Sequence, residues 1–326
     1  VASLLRGRKI AFLNYKATLM PTNIEQRKGV IFACLAFFMW GLAPIYFKFL
    51  QQISAFEILM HRVIWSVLFL LLIIAARHQW QRIRVVLGQP KLLLMLVITA
   101  SLLGFNWGLF IWAVNNNHML DASLGYYINP LLNVLLGMLF LGERLRKWQG
   151  VAVGLALCGV LLQLVSFGSF PVVAFSLAGS FAIYGLLRKK LPIESLPGLL
   201  LEALILLPVA LIYWWLMAPS ASSDLTANDW HINLLLISAG VVTTLPLLCF
   251  TGAAKRLQYS TLGFFQYIGP SLMFMLAVAF YGEVFDAERV VTFACIWSAL
   301  ALFSWDSYRQ SRKQRKAQLE AVTKPV

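Results

Sequence analysis

Charged side chains are scarce in this chain, 12% of 326 residues against 60% hydrophobic ones. Soluble domains carry about 25% charged and about 45–50% apolar residues, so the balance excludes a soluble fold. Acidic residues are scarcer still, 13 against 27 Lys and Arg. In a soluble protein the resulting net charge of +14 would suggest nucleic acid. Without a soluble fold, nucleic acid is not an expected partner. Cysteine is rare too. Cys34, Cys158, Cys249 and Cys295 each fall inside an apolar run, which excludes a disulfide framework and reads as four small buried hydrophobes. Of four histidines only His61 lies in an apolar run, so no metal site is expected. The chain has no G-x-S-x-G, no H-E-x-x-H and no G-x-x-x-x-G-K-[ST]. Those absences argue against an enzyme, leave no expected cofactor, and remove ATP as a direct energy source unless a partner supplies it.

Apolar runs are what the chain has in abundance. A helix needs about 20 apolar residues to cross a bilayer, and backbone in lipid must satisfy its own hydrogen bonds. The runs do not alternate as membrane-barrel strands would. Ten spans are expected, at 29–49, 56–75, 92–113, 121–141, 148–165, 170–187, 198–217, 232–254, 261–281 and 287–305. Residues 1–27 form a basic arm, in which 1–19 precede Met20 and read as an upstream extension. No cleavage site follows the first span, so it is expected to be retained. Residues 306–326 form a basic tail.

Lys and Arg assign the sides, because they concentrate in cytoplasmic loops. Twenty-four of the 27 fall in the arm, the tail and loops 2–3, 4–5, 6–7 and 8–9. Only Arg289 falls in the other loops, while Lys48 and Arg62 lie near span ends. Both termini are therefore expected in the cytoplasm, with the chain in a bacterial inner membrane.

One apolar phrase occurs twice. "YINPLLNVLLGMLFLGE" (127–143) and "YIGPSLMFMLAVAFYGE" (267–283) share eight of 17 residues without a gap. Five spans per copy is an odd number, so the second copy enters the membrane inverted. The flanks agree: Glu143 is followed by Arg144, Arg146 and Lys147, but Glu283 by Asp286 and Glu288. The repeats are placed at 28–166 and 169–305. Inverted repeats are a recurrent transporter plan with the substrate at their interface.

Over about residues 25–308, "GLAPIYFK", "EILMHRVIWS", "GFNWGLFIWAVNNNHMLDASLGYYINPL" and "GAAKRLQYSTLGFFQYIGP" resemble the EamA-type drug/metabolite transporters. The resemblance implies an all-α membrane carrier of ten helices. It implies no particular substrate.

Polar groups inside spans are costly and usually face a cavity or a partner. Glu57 and His61, four apart on one helical face, could accept protons, or could form an interfacial cluster in which Arg62 pairs with Glu57. Tyr126, Tyr127, Asn129 and Asn133 could hold a polar substrate, or Asn129 and Asn133 could simply bond neighbouring helices. Gln266 and Tyr267 are their second-half counterparts. Trp40, Tyr46, Asn106, Trp107 and Tyr184 are further substrate-binding candidates. Pro44, Pro130 and Pro270 free carbonyls and are candidate helix breaks or gates. Lys48 could hold an anion or snorkel outward. Glu202 is expected to pair with Arg188 or Lys189, and Glu143 and Glu283 to close helices at opposite faces. The expected activity is secondary transport of a small organic metabolite or drug by alternating access, as proton-coupled export; lipid and protons are the other partners. A membrane enzyme, a lipid-handling protein or a non-transporting scaffold is the alternative.

Overall fold

Among the described residues every element is a helix, as the apolar runs require. The computed structural model describes residues 23–116, 118–168, 170–216, 225–226, 228–281 and 287–323. In order these are α1 (Asn23–Lys48), α2 (Ala55–Ala76), α3 (Trp80–Leu87), α4 (Pro90–Asn115), α5 (Met119–Leu141) and α6 (Lys147–Phe167). The second half supplies α7 (Val172–Lys190), α8 (Ser195–Leu216), α9 (Trp230–Arg256), α10 (Tyr259–Gln266), α11 (Ile268–Tyr281) and α12 (Ala287–Thr323). Among the described residues, nine helices are long and apolar enough to cross a bilayer. The tenth span is α10 plus α11, which meet at Tyr267. The proposed extension 1–19 and Glu283 lie outside the described residues.

Local chemistry sets the ends. Ser54 caps α2 by accepting from the Glu57 amide at 3.3 Å. Pro90 opens α4, where its missing N–H costs no bond. Gly142 ends α5 in the left-handed region at φ 64°, which a side chain would resist.

Two expectations need correction. The ninth span is not one helix. Pro270 removes the amide that would bond the Gln266 carbonyl, and Gly269 beside it is a poor helix former, so the helix breaks at Tyr267. Pro44 and Pro130, by contrast, sit inside unbroken helices. The basic tail is helical, since α12 runs on to Thr323. At about 1.5 Å per residue it outruns a hydrocarbon core of about 30 Å. Finally, the four cysteines are not buried: Cys158 is exposed and the others are half-buried. Lipid is as apolar as a core, so an apolar side chain need not face inward. One element was not foreseen. The short α3 lies in the 2–3 loop and buries Ile83 and Val86, three apart, against the bundle.

The packing pattern obeys an exchange of halves. Helices α1, α2, α4, α5 and α6 correspond to α7, α8, α9, α10/α11 and α12. The pair α1·α9 is matched by α7·α4, α1·α11 by α7·α5, and α2·α9 by α8·α4. The self-related pairs α2·α8, α5·α10 and α6·α12 also pack together. The fold is an all-α bundle of two inverted five-span repeats. Each half packs largely on the other, so the core sits between the repeats. Small residues permit the closest approaches: a Cβ on Gly240 of α9 would lie 2.4 Å from the Trp65 carbonyl carbon of α2.

Candidate functional site

The duplicated phrase supplies the centre of the bundle. α5 and α10 cross there, and the Tyr267 hydroxyl donates to the Tyr127 carbonyl at 3.3 Å. Tyr267 and Tyr127 are repeat equivalents, 140 residues apart, so the pseudo-twofold axis passes beside this bond. At the same crossing Asn133 Nδ2 donates to Gln266 Oε1 at 2.5 Å. Gly263 lies on the Pro130 carbonyl, where a Cβ would come within 2.7 Å. Asn129 Nδ2 reaches the Ala178 carbonyl of α7 at 3.2 Å. From the other side of α7, Asn106 Nδ2 donates to the Leu177 carbonyl at 2.8 Å and Ser180 Oγ at 2.9 Å. A polar seam thus joins α4, α7, α5 and α10 at mid-bundle. Within it the side-chain oxygens of Asn129 and Asn133 are buried with no hydrogen-bond donor among the described residues. Buried polar atoms are seldom left so.

The second centre surrounds Arg62 of α2. Its Nε donates to Thr243 Oγ1 of α9 at 2.8 Å. The guanidinium lies over the rings of Trp107 at 5.0 Å and Phe47 at 5.7 Å. Tyr46 and Tyr126 are within electrostatic reach of it. Tyr46 is itself held by a 2.6 Å bond to the Leu235 carbonyl. Thr243 and Trp107 also border a small cavity of about 20 Å³ between α2, α4, α8 and α9, room for about one water. Among the described residues Arg62 forms no ion pair with Glu57. Consecutive residues diverge by about 100° around a helix, so His61 goes elsewhere: it is buried, accepts from Trp65 Nε1 at 3.2 Å, and its ring lies 5.2 Å from Trp214.

The third centre lies toward the end of the bundle where basic residues collect. Arg188 and Glu202 are both fully buried, with Arg188 Nε 3.7 Å from Glu202 Oε1. Thr99 donates to that carboxylate at 2.6 Å and Tyr184 at 3.3 Å. Lys189 bonds the Ala254 and Leu257 carbonyls instead. At the same end Glu143 accepts from the amides of Tyr259 at 2.5 Å and Ser260 at 2.8 Å, and from Ser260 Oγ at 2.7 Å. A carboxylate is well placed on a helix N-terminus. Trp40, the remaining candidate, packs in a ring cluster with Phe37, Phe181 and Phe250.

The structure therefore brings Tyr127, Asn129, Asn133, Gln266 and Tyr267 together at one crossing, with Asn106 joining through α7. Tyr46, Trp107 and Tyr126 gather around Arg62, while Trp40 and Tyr184 belong to aromatic packing. Sequence reasoning missed Arg62 as a central group and Thr243 as its support. The available signal was a cation within the second span, near one end of it.

Comparison with known proteins supplies the family. A family model described as the EamA-like transporter family matches residues 27–165. The chain is 58% identical to Protein RarD of Salmonella typhi over 290 residues, 89% of this chain and 99% of that one. The chain belongs to the EamA-like transporter family. It is accordingly a multi-pass membrane transporter. Protein RarD of Escherichia coli (strain K12) is 55% identical over 90% of this chain and 99% of its own. An uncharacterized transporter of Vibrio cholerae is 58% identical over 91% and 98%. A crystal structure at 17% identity superposes with a TM-score of 0.67 over 86% of this transporter and 98% of that chain, which shows a shared fold.

Proposed function

We propose that this transporter is a secondary carrier that exports a small organic metabolite or drug by alternating access, coupled to protons. The observation that carries it is the α5·α10 crossing. Repeat-equivalent residues meet there around buried, unmatched amide oxygens, Asn129 Oδ1 and Asn133 Oδ1. Two packed halves that exchange roles can rock about such an axis. The repeats run over 28–166 and 169–305, and the basic arm and tail face the cytoplasm of the bacterial inner membrane. The substrate passes the seam of Asn106, Tyr127, Asn129, Asn133, Gln266 and Tyr267, with Tyr46, Trp107 and Tyr126 on its way. Glu57 and His61 carry the proton coupling, motivated by a titratable pair inside a span.

Flux of solutes in proteoliposomes tests this reading. Parent protein should move substrate faster with an imposed pH gradient. Glu57→Gln should lose that dependence, and Asn129→Ala should lower the flux. Flux indifferent to gradient and potential would remove the coupling. Full flux in both variants would remove these residues from the path.

A further inference from the structure

Arg62 differs from the other arginines that tie the bundle together. Arg188 faces Glu202, Arg146 faces Asp306 and Arg256 faces Glu25. Among the described residues no carboxylate lies within ion-pair distance of Arg62. Its Nε is spent on Thr243, and its terminal nitrogens make no hydrogen bond to a described residue. An ionisable group inside a span ordinarily marks a substrate or ion path.

The surroundings orient this cation rather than neutralise it. The Thr243 bond fixes the plane of the guanidinium, and Trp107 and Phe47 lie under it. A held guanidinium presents its terminal N–H groups as a fork that matches a carboxylate with two parallel bonds. The aromatic walls suit a flat apolar body. The halves also differ here. Taking Ser54 and Ser195 as equivalent, the position matching Arg62 is Ala203. One cation off the axis serves a ligand charged at one end. We propose that Arg62 is the anchor for the carboxylate of a small aromatic or otherwise apolar organic monoanion on the transport path. A single cation balances a single charge, so a dianionic phosphate is the poorer fit. The inference rests on the carrier function proposed above for the same bundle, and names its substrate class.

The test uses the purified full chain, with benzoate, phenylacetate and cinnamate each set against its primary amide. At least one carboxylate should raise the unfolding temperature of the parent, as a ligand of the native state must, while its amide should not. Arg62→Gln should abolish the shift. If Arg62→Gln does not fold, Arg62→Lys decides, because it keeps the charge but loses the fork; affinity should fall by about tenfold or more. Equal stabilisation by amide and acid, no shift by any of the three acids, or an undiminished shift in the folded variant would overturn the proposal. Flux measured beside binding separates the two ideas. A carboxylate bound through Arg62 but not moved across the bilayer keeps the anchor and removes the carrier. A neutral solute moved equally by parent and Arg62→Gln keeps the carrier and removes the anchor.

Discussion

The buried pair of Arg188 and Glu202 shows what a single residue can cost inside a bilayer. Removing one partner of such a pair strands the other charge, at about 3–5 kcal/mol, whereas replacing both by apolar groups is often neutral. Glu202→Leu should therefore lower the unfolding temperature in detergent sharply, and Arg188→Met/Glu202→Leu should recover most of the loss. A double variant as unstable as the two single losses combined would show that the two charges are not coupled. Gly198 belongs to the same unit, since a Cβ there would lie 2.2 Å from Arg188 Nη1. Glu143 makes a second prediction. Its carboxylate holds three donors at the start of α10, and bonds to a charged group contribute about 1.5–3 kcal/mol each. Glu143→Ala should destabilise by about that of one to two bonds, and Glu143→Gln by less. No change in thermal stability for either would mean the latch is incidental.

At the scale of the helix, close packing depends on small residues, and the glycines divide into two groups. Gly240 of α9 has no space, with the Trp65 backbone in the way, while Gly154 of α6 has nothing within 4 Å of its Cβ position. Gly240→Ala should cost about 1–3 kcal/mol from overpacking. Gly154→Ala should be neutral or stabilise by up to about 1 kcal/mol through helix propensity. Thermal unfolding of both variants checks the contrast, which fails if their effects are alike. The same scale explains what could be read in advance. Spans were legible because an uninterrupted apolar run has one outcome in lipid. The break at Tyr267 is only partly legible, because Pro44, Pro130 and Pro270 all read as candidate breaks, yet only Pro270 has glycine before it. The α3 segment has the pattern of a loop because Arg82 and Arg84 mask its two buried positions, Ile83 and Val86. Of the site, Asn133 and Gln266 could be named but not joined, since the partner lies 133 residues away. Sequence spacing sets Arg62 beside Glu57 and His61, while its contacts are on α1, α4 and α9. Local spacing cannot show a bond that only the inverted packing of halves creates.

For the whole molecule, the exchange of halves organises everything else. It places α1 against both α9 and α11, as α7 lies against α4 and α5. It sets the crossing of Tyr127 and Tyr267 on the axis. It also explains why one phrase has basic neighbours in one copy and acidic neighbours in the other. If the halves enter the membrane in opposite directions, the connections that follow the two copies must lie on opposite faces. Single cysteines at Arg144 and Ala287, in a chain with its four native cysteines replaced, measure this directly with an impermeant thiol reagent on intact cells. Arg144→Cys should label only after the membrane is opened, and Ala287→Cys should label from outside. Labelling of both from one face would contradict the inverted architecture and the transport mechanism built on it.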